Sequence, residues 1–135
     1  MGMLLFLTGC LFGDVGRGYL KTECVKEEIS NNLTTITTYV IEHKENVVND
    51  VSVTYEYIGD NATVLAIKNS IESQNRYLNY DGLEIEILSD EANNFTVMYK
   101  MEVDKMSEKI FEKFNLNRNR SEFVRSLTDE DFTCR

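Results

Sequence analysis

Two runs of strict alternation constrain this chain more than anything else in it. In Val51-Ser52-Val53-Thr54-Tyr55-Glu56-Tyr57 every second residue is apolar or aromatic. In the stretch from Phe95 to Val103 the odd-numbered residues Phe95, Val97, Tyr99, Met101 and Val103 repeat the pattern. Successive side chains of a strand point to opposite faces, so each run predicts a strand with one buried and one solvated face. Leu83, Ile85 and Ile87 alternate with Glu84 and Glu86 just before the second run, and Asn93-Asn94 separates the two. That arrangement predicts a hairpin.

The rest of the chain follows from this frame. Residues 21–29 and 34–44 read as two earlier strands around an Asn31-Asn32 turn, the second rich in Thr, Ile, Tyr and Val. Asn46 and Asn49-Asp50 flank the next turn, which places the start of the third strand at Val51. Gly59-Asp60-Asn61 ends that strand. Residues 62–78 then carry Val64, Ile67, Ile71 and Leu78 at helical spacing, with Lys68, Glu72 and Arg76 as a charge ladder on another face. Asp81-Gly82 is a turn. A short helix near 105–114 holds Ile110, Phe111 and Phe114, and Asn119-x-x-Glu122 reads as the start of a last helix. The predicted class is α+β, in the order βββαββαα: an antiparallel sheet of about five strands packed against one longer helix and short C-terminal helices.

The chain has 135 residues and is 42% hydrophobic, enough for a single domain with a real core. Its formal net charge is −9, from 23 acidic and 14 basic residues. A domain so acidic repels phosphate backbones and anionic lipid headgroups, so no nucleic-acid partner is expected.

The N-terminus carries the most specific motif. A short apolar run ends in Leu7-Thr8-Gly9-Cys10, which resembles the bacterial lipobox. The thiol would accept the lipid, and the small residues before it would fit the signal peptidase. The run is shorter than the roughly 20 apolar residues a transmembrane helix needs. It also lacks the basic start of a secretory signal, so translation is expected to begin upstream of Met1. Residues 1–9 are read as a signal-peptide remnant, 10–20 as the lipidated Cys10 and a glycine-bearing tether, and 21–135 as one α+β domain. The expected location is the extracytoplasmic face of the cell membrane, through an acyl anchor on Cys10. The two or three acyl chains of such a cysteine anchor stably, where one chain binds marginally.

Three cysteines leave one odd thiol. Lipidation of Cys10 removes it, and Cys24 and Cys134 are then expected to pair outside the membrane, where disulfides persist. The alternative is two free buried thiols.

These features together resemble the small YehR-like lipoproteins, a family of unknown function. The resemblance rests on the lipobox, on Thr22-Glu23-Cys24 about a dozen residues later, and on the terminal tetrad Phe132-Thr133-Cys134-Arg135. The segment from Val53 to Asp60 and the one from Asn94 to Asp104 are similar too. Leu11 departs from the pattern, where a glycine is more usual. The resemblance implies an α+β fold and a lipid anchor, and it brings no catalytic residues.

No constellation for chemistry emerges from the residues. His43 is the one histidine and is expected on a strand surface. Glu42/Glu56 and Glu84/Glu86 read as solvated strand faces rather than a hydrolase pair. Asp129-Glu130-Asp131 lacks the spacing and glycine of a calcium loop. No CxxC or Cys/His cluster suggests a metal. No catalytic residue, metal or cofactor is assigned. The expected function is a non-enzymatic binding module for an envelope protein or small ligand. An envelope hydrolase using acidic residues, or an inhibitor or immunity-type protein, is the alternative.

Overall fold

The computed structural model describes residues 19–135. Its elements, in chain order, are β1 (Leu20–Ser30), β2 (Leu33–Lys44), β3 (Val47–Gly59), α1 (Asn61–Asn75), β4 (Leu83–Glu91), β5 (Asn94–Glu102), a 3-10 turn (Val103–Lys105), α2 (Glu108–Phe114), α3 (Arg120–Asp129) and β6 (Thr133–Cys134). The six strands form one sheet in the order β4-β5-β3-β2-β1-β6. Every adjacent pair is antiparallel. The α+β class and the order βββαββαα therefore hold, and β6 adds a sixth strand to the expected five.

The alternation sorts the sheet into two faces. Val51 and Val53 of β3, Phe95, Val97, Tyr99 and Met101 of β5, and Tyr39 and Ile41 of β2 are buried on one face. The helices cover it. Tyr39 sits at its centre, with ring centroids 5.8 Å from Phe123 of α3 and 5.4 Å from Phe132, both edge-on. Its hydroxyl donates to the Phe114 carbonyl of α2 at 3.0 Å. On the same face, the Tyr99 hydroxyl donates to Asn75 Oδ1 of α1 at 2.8 Å. Edge-to-face rings with a satisfied hydroxyl are the favourable way to bury tyrosine.

The helices start where polar side chains can close their free amides. Asp60 caps α1, accepting from Thr63 N at 2.9 Å. Asn119 caps α3, accepting from Glu122 N at 3.0 Å. The reciprocal half of that capping box is replaced: the Asn119 amide donates to Asn117 Oδ1 at 2.8 Å. Lys68 on α1 reaches across to Asp90 of β4 at 2.8 Å, a tertiary contact added to the influence of Glu72 on its own helix.

β3 starts earlier than its sequence suggests. It begins at Val47, across a two-residue loop from Lys44, and a register shift opposite Glu42/His43 leaves Asn49 as the extra residue of a bulge. Bulges insert one residue without losing the faces beyond them. Here the bulge keeps Val51 and Val53 facing the core while Asp50 faces the other way. Gly82 occupies the turn before β4 with φ +81, where a Cβ would come within 2.8 Å of Lys105 and Met106 side-chain carbons. Only glycine fits that conformation and that approach.

Candidate functional site

The second face of the sheet carries no helix contact among the ring contacts and side-chain hydrogen bonds described above. Its composition can be read from the strand register. Lys21, Glu42, Asp50 and Glu102 lie opposite one another in a single row across β1, β2, β3 and β5. The next row is Glu23, Val40, Ser52, Lys100 and Glu84, and the third is Val25, Thr38, Thr54, Met98 and Glu86. Neighbouring strands lie about 4.8 Å apart, and successive rows on one face about 6.8 Å apart, so this is a broad, evenly dotted surface.

A hollow of about 470 Å³ opens on this face where β3, β5 and the start of β4 meet. Asp50, Ser52, Glu84, Lys100 and Glu102 line it beside Met98. Burial raises the Asp50 carboxyl above its ordinary value, and Glu102 and Asp104 raise it further by repulsion. Partial compensation comes from two cations. Lys100 Nζ lies 3.5 Å from Glu86, and Lys105 Nζ lies 3.5 Å from Glu102. The arrangement can attract positive charge. It does not converge on a point: among the described residues no group of three or more His, Cys, Asp or Glu side chains is placed to hold a metal ion.

A smaller cleft of about 140 Å³ lies on the helix side, lined by Tyr55, Tyr57, Tyr99, Asn75 and Phe114. Burial pushes the Tyr57 hydroxyl up to about 12, with Tyr99 adding to the rise. Tyr55 and Tyr57 stack at 6.4 Å, and Tyr55 meets Tyr99 edge-on at 5.9 Å. These hydroxyls stay protonated at neutral pH and serve packing rather than base chemistry.

His43 is corrected by the structure. It is 4% exposed rather than a surface residue. Its ring joins Thr22 Oγ1 at 3.0 Å and the Glu45 carbonyl oxygen at 2.9 Å. The Arg120 guanidinium donates to the same Thr22 oxygen at 3.3 Å. A carbonyl only accepts and a guanidinium only donates, which orders the chain. His43 Nδ1–H donates to Glu45, and the Thr22 hydroxyl donates to Nε2 while accepting from Arg120. The histidine is a buried tie between β1, β2 and α3. One signal in the sequence pointed there: His43 has the parity of Tyr39 and Ile41, the core face of β2.

Cys24 and Cys134 are bonded, across 110 residues of chain. They are direct partners on antiparallel β1 and β6. The neighbouring pair is closed as well, because Glu23 and Arg135 exchange two backbone hydrogen bonds of 2.9 Å. Arg135 also reaches Glu23 Oε1 at 3.4 Å, and Phe132 packs on Tyr39. The terminal tetrad thus works as a clasp. The lipobox residues Leu7, Thr8 and Gly9 and the lipidation candidate Cys10 lie outside the described residues.

Comparison with known proteins adds a family. The YodL-like domain matches residues 61–131, just over half of the chain. The chain belongs to the YodL-like domain family. The YodL-like match takes in α1, β4, β5, α2 and α3 and stops before β6. Both disulfide cysteines and the β1–β3 meander lie outside it. The hollow straddles its edge, with Glu84, Lys100 and Glu102 inside the YodL-like region and Asp50 outside. The fold also resembles the NMR structure of a protein from Streptococcus pneumoniae TIGR4, with a TM-score of 0.59 at 8% identity. That alignment covers 100% of this chain and 93% of the other. At such low identity it shows a shared fold. No curated protein matches the chain.

Proposed function

We propose that this protein is a lipid-anchored, extracytoplasmic binding module, held on the cell membrane through Cys10, whose sheet presents its open face to an envelope partner. The observation that carries the binding role is the sheet's division of labour. One face is covered by all three helices described, and the other offers an acidic surface with a hollow of about 470 Å³ whose carboxylates follow the strand rows rather than converging on one point. Enzyme pockets instead gather a few convergent polar groups in a deep cleft.

The location is supported by separate features. The Cys24–Cys134 disulfide suits a compartment that permits disulfides. The lipobox-like Leu7-Thr8-Gly9-Cys10 supplies an acceptor thiol, and both ends of the chain resemble those of YehR-like lipoproteins. No helix among the described residues is long and apolar enough to cross a membrane.

Site-specific photo-crosslinking on intact cells tests the proposal. A photoreactive residue at Thr54, in the middle of the open face, is expected to capture a recurring envelope protein, while one at Ser73 on α1 does not. Capture of lipid-processing enzymes alone, from either position, contradicts the binding role.

A further inference from the structure

The acidic excess of this fold is concentrated on the open face of the sheet. The helices and their connections are close to balanced: eight of the fourteen Lys and Arg residues (Lys68, Arg76 and six between Lys105 and Arg125) stand against ten Asp and Glu. The open sheet face is far from balanced. By register its strand positions hold nine carboxylates and three lysines, Lys21, Lys44 and Lys100. An excess that large over one face sets a field that selects the sign of whatever docks there.

The geometry narrows the occupant further. A second copy would bring two acidic faces together, and an anionic lipid surface or a nucleic acid would be repelled. A single metal ion would need carboxylates gathered within its coordination sphere, and the described residues offer no such group. The carboxylates of Glu42, Asp50 and Glu102 follow one row across three strands, and Glu84 and Glu86 carry the charge along β4 into the next two. Several cationic groups on one backbone can meet carboxylates spaced this way. The hollow supplies an apolar surface at Met98 for the stems of long side chains, beside the hydroxyl of Ser52.

We propose that the open sheet face, centred on Asp50, Ser52, Met98 and Glu102, is a docking surface for an extended, lysine- or arginine-bearing segment of a partner protein. This rests on the binding-module reading and names its partner class. The segment lies across β3 and β5, its cationic groups meet the carboxylate rows, and its side-chain stems enter the hollow. Asp50 stands in the middle of the first row, directly opposite Glu102, and burial together with Glu102 and Asp104 raises its carboxyl above the ordinary value, so a cation beside it relieves like-charge repulsion.

The test uses the full chain in neutral detergent and a fluorescein-labelled ten-residue peptide alternating lysine and threonine. Binding is read by anisotropy, and the footprint by backbone amide shifts. Binding should weaken steeply with salt. The double variant Asp50→Asn/Glu102→Gln, which keeps side-chain shape, should weaken binding about tenfold or more. Glu72→Gln/Glu112→Gln on the helices removes the same charge and should leave binding unchanged. Ser52→Lys, which places a cation in the hollow, should abolish it even where the double variant folds poorly. Amide shifts should fall on β3 and β5. Equal weakening by both double variants, shifts confined to the helices, or preference for spermine over the peptide would overturn the proposal. Failure of the peptide to bind while Thr54 still crosslinks an envelope protein on cells would overturn the cationic-segment inference alone. Loss of the crosslink itself would remove the binding-module reading beneath it.

Discussion

Asp50 and Glu102 stand directly opposite each other on neighbouring antiparallel strands, two like charges facing across the open side of the sheet. Like charges in direct opposition destabilise a sheet. Their retention in a row with Glu42 puts the sheet's electrostatic cost on the same surface as its hollow.

The pH dependence of stability follows from Asp50. Its carboxyl is raised above 3.8, first by burial and then by Glu102 and Asp104. The folded state therefore binds more protons than the unfolded state between 3.8 and the raised value. Stability falls as pH rises through that window, and the cost is fully present above it. Asp50→Asn should raise the urea midpoint at pH 7, and the gain should fade as pH drops below 3.8. A variant less stable than the wild type at pH 7 contradicts this reading of the row.

The clasp at the chain ends should carry much of the stability. Closing a loop of this length stabilises by about 4–5 kcal/mol in the chain-entropy model. Reduction, or Cys134→Ser, is expected to lower the unfolding free energy by about that amount in urea titrations, a large share of a typical domain's total. An unchanged midpoint after complete reduction would show that the clasp is decorative.

The buried Thr22–His43–Arg120 tie makes a sharper prediction. Thr22→Val keeps the shape but removes the hydroxyl, leaving His43 Nε2 without its donor in a buried site. The cost should be about 1–3 kcal/mol, while Thr22→Ser should cost less than about 1 kcal/mol. Equal losses for the two variants, measured by urea unfolding, would assign the effect to packing instead.

Tyr39 separates packing from hydrogen bonding in the core. Tyr39→Phe leaves the Phe114 carbonyl without its donor and should cost about 1–2 kcal/mol. Phe123→Ala removes the ring beneath it and should cost about 3–5 kcal/mol. The reverse order would contradict the central position given to the Tyr39 ring stack.

Much of this fold was legible because its strands are half buried. Alternation at Val51–Tyr57 and Phe95–Val103 marked the core face residue by residue, and the structure buries Val51, Val53, Phe95, Val97, Tyr99, Met101 and Val103 as that pattern requires. The start of β3 was hidden because a bulge at Asn49 breaks the parity, so Val47-Val48 looked detached from the strand it begins. The sixth strand was invisible for a different reason. Thr133-Cys134 is too short to show a period and is a strand only because β1 lies beside it. His43 was misplaced by residue type, since histidine is usually exposed, although its parity matched Tyr39 and Ile41. The acidic face itself was legible as Glu84/Glu86 and Glu42/Glu56. What no local pattern could supply was the register that sets Glu42, Asp50 and Glu102 in one row, because that depends on pairing between strands distant in sequence.

Intact-mass analysis of the protein extracted from membranes without reductant tests the central claim most directly. The expected species begins at Cys10, carries the mass of two or three acyl chains, and loses two hydrogens to the Cys24–Cys134 disulfide. A chain that keeps the residues ahead of an unmodified Cys10, with three free thiols, would contradict it.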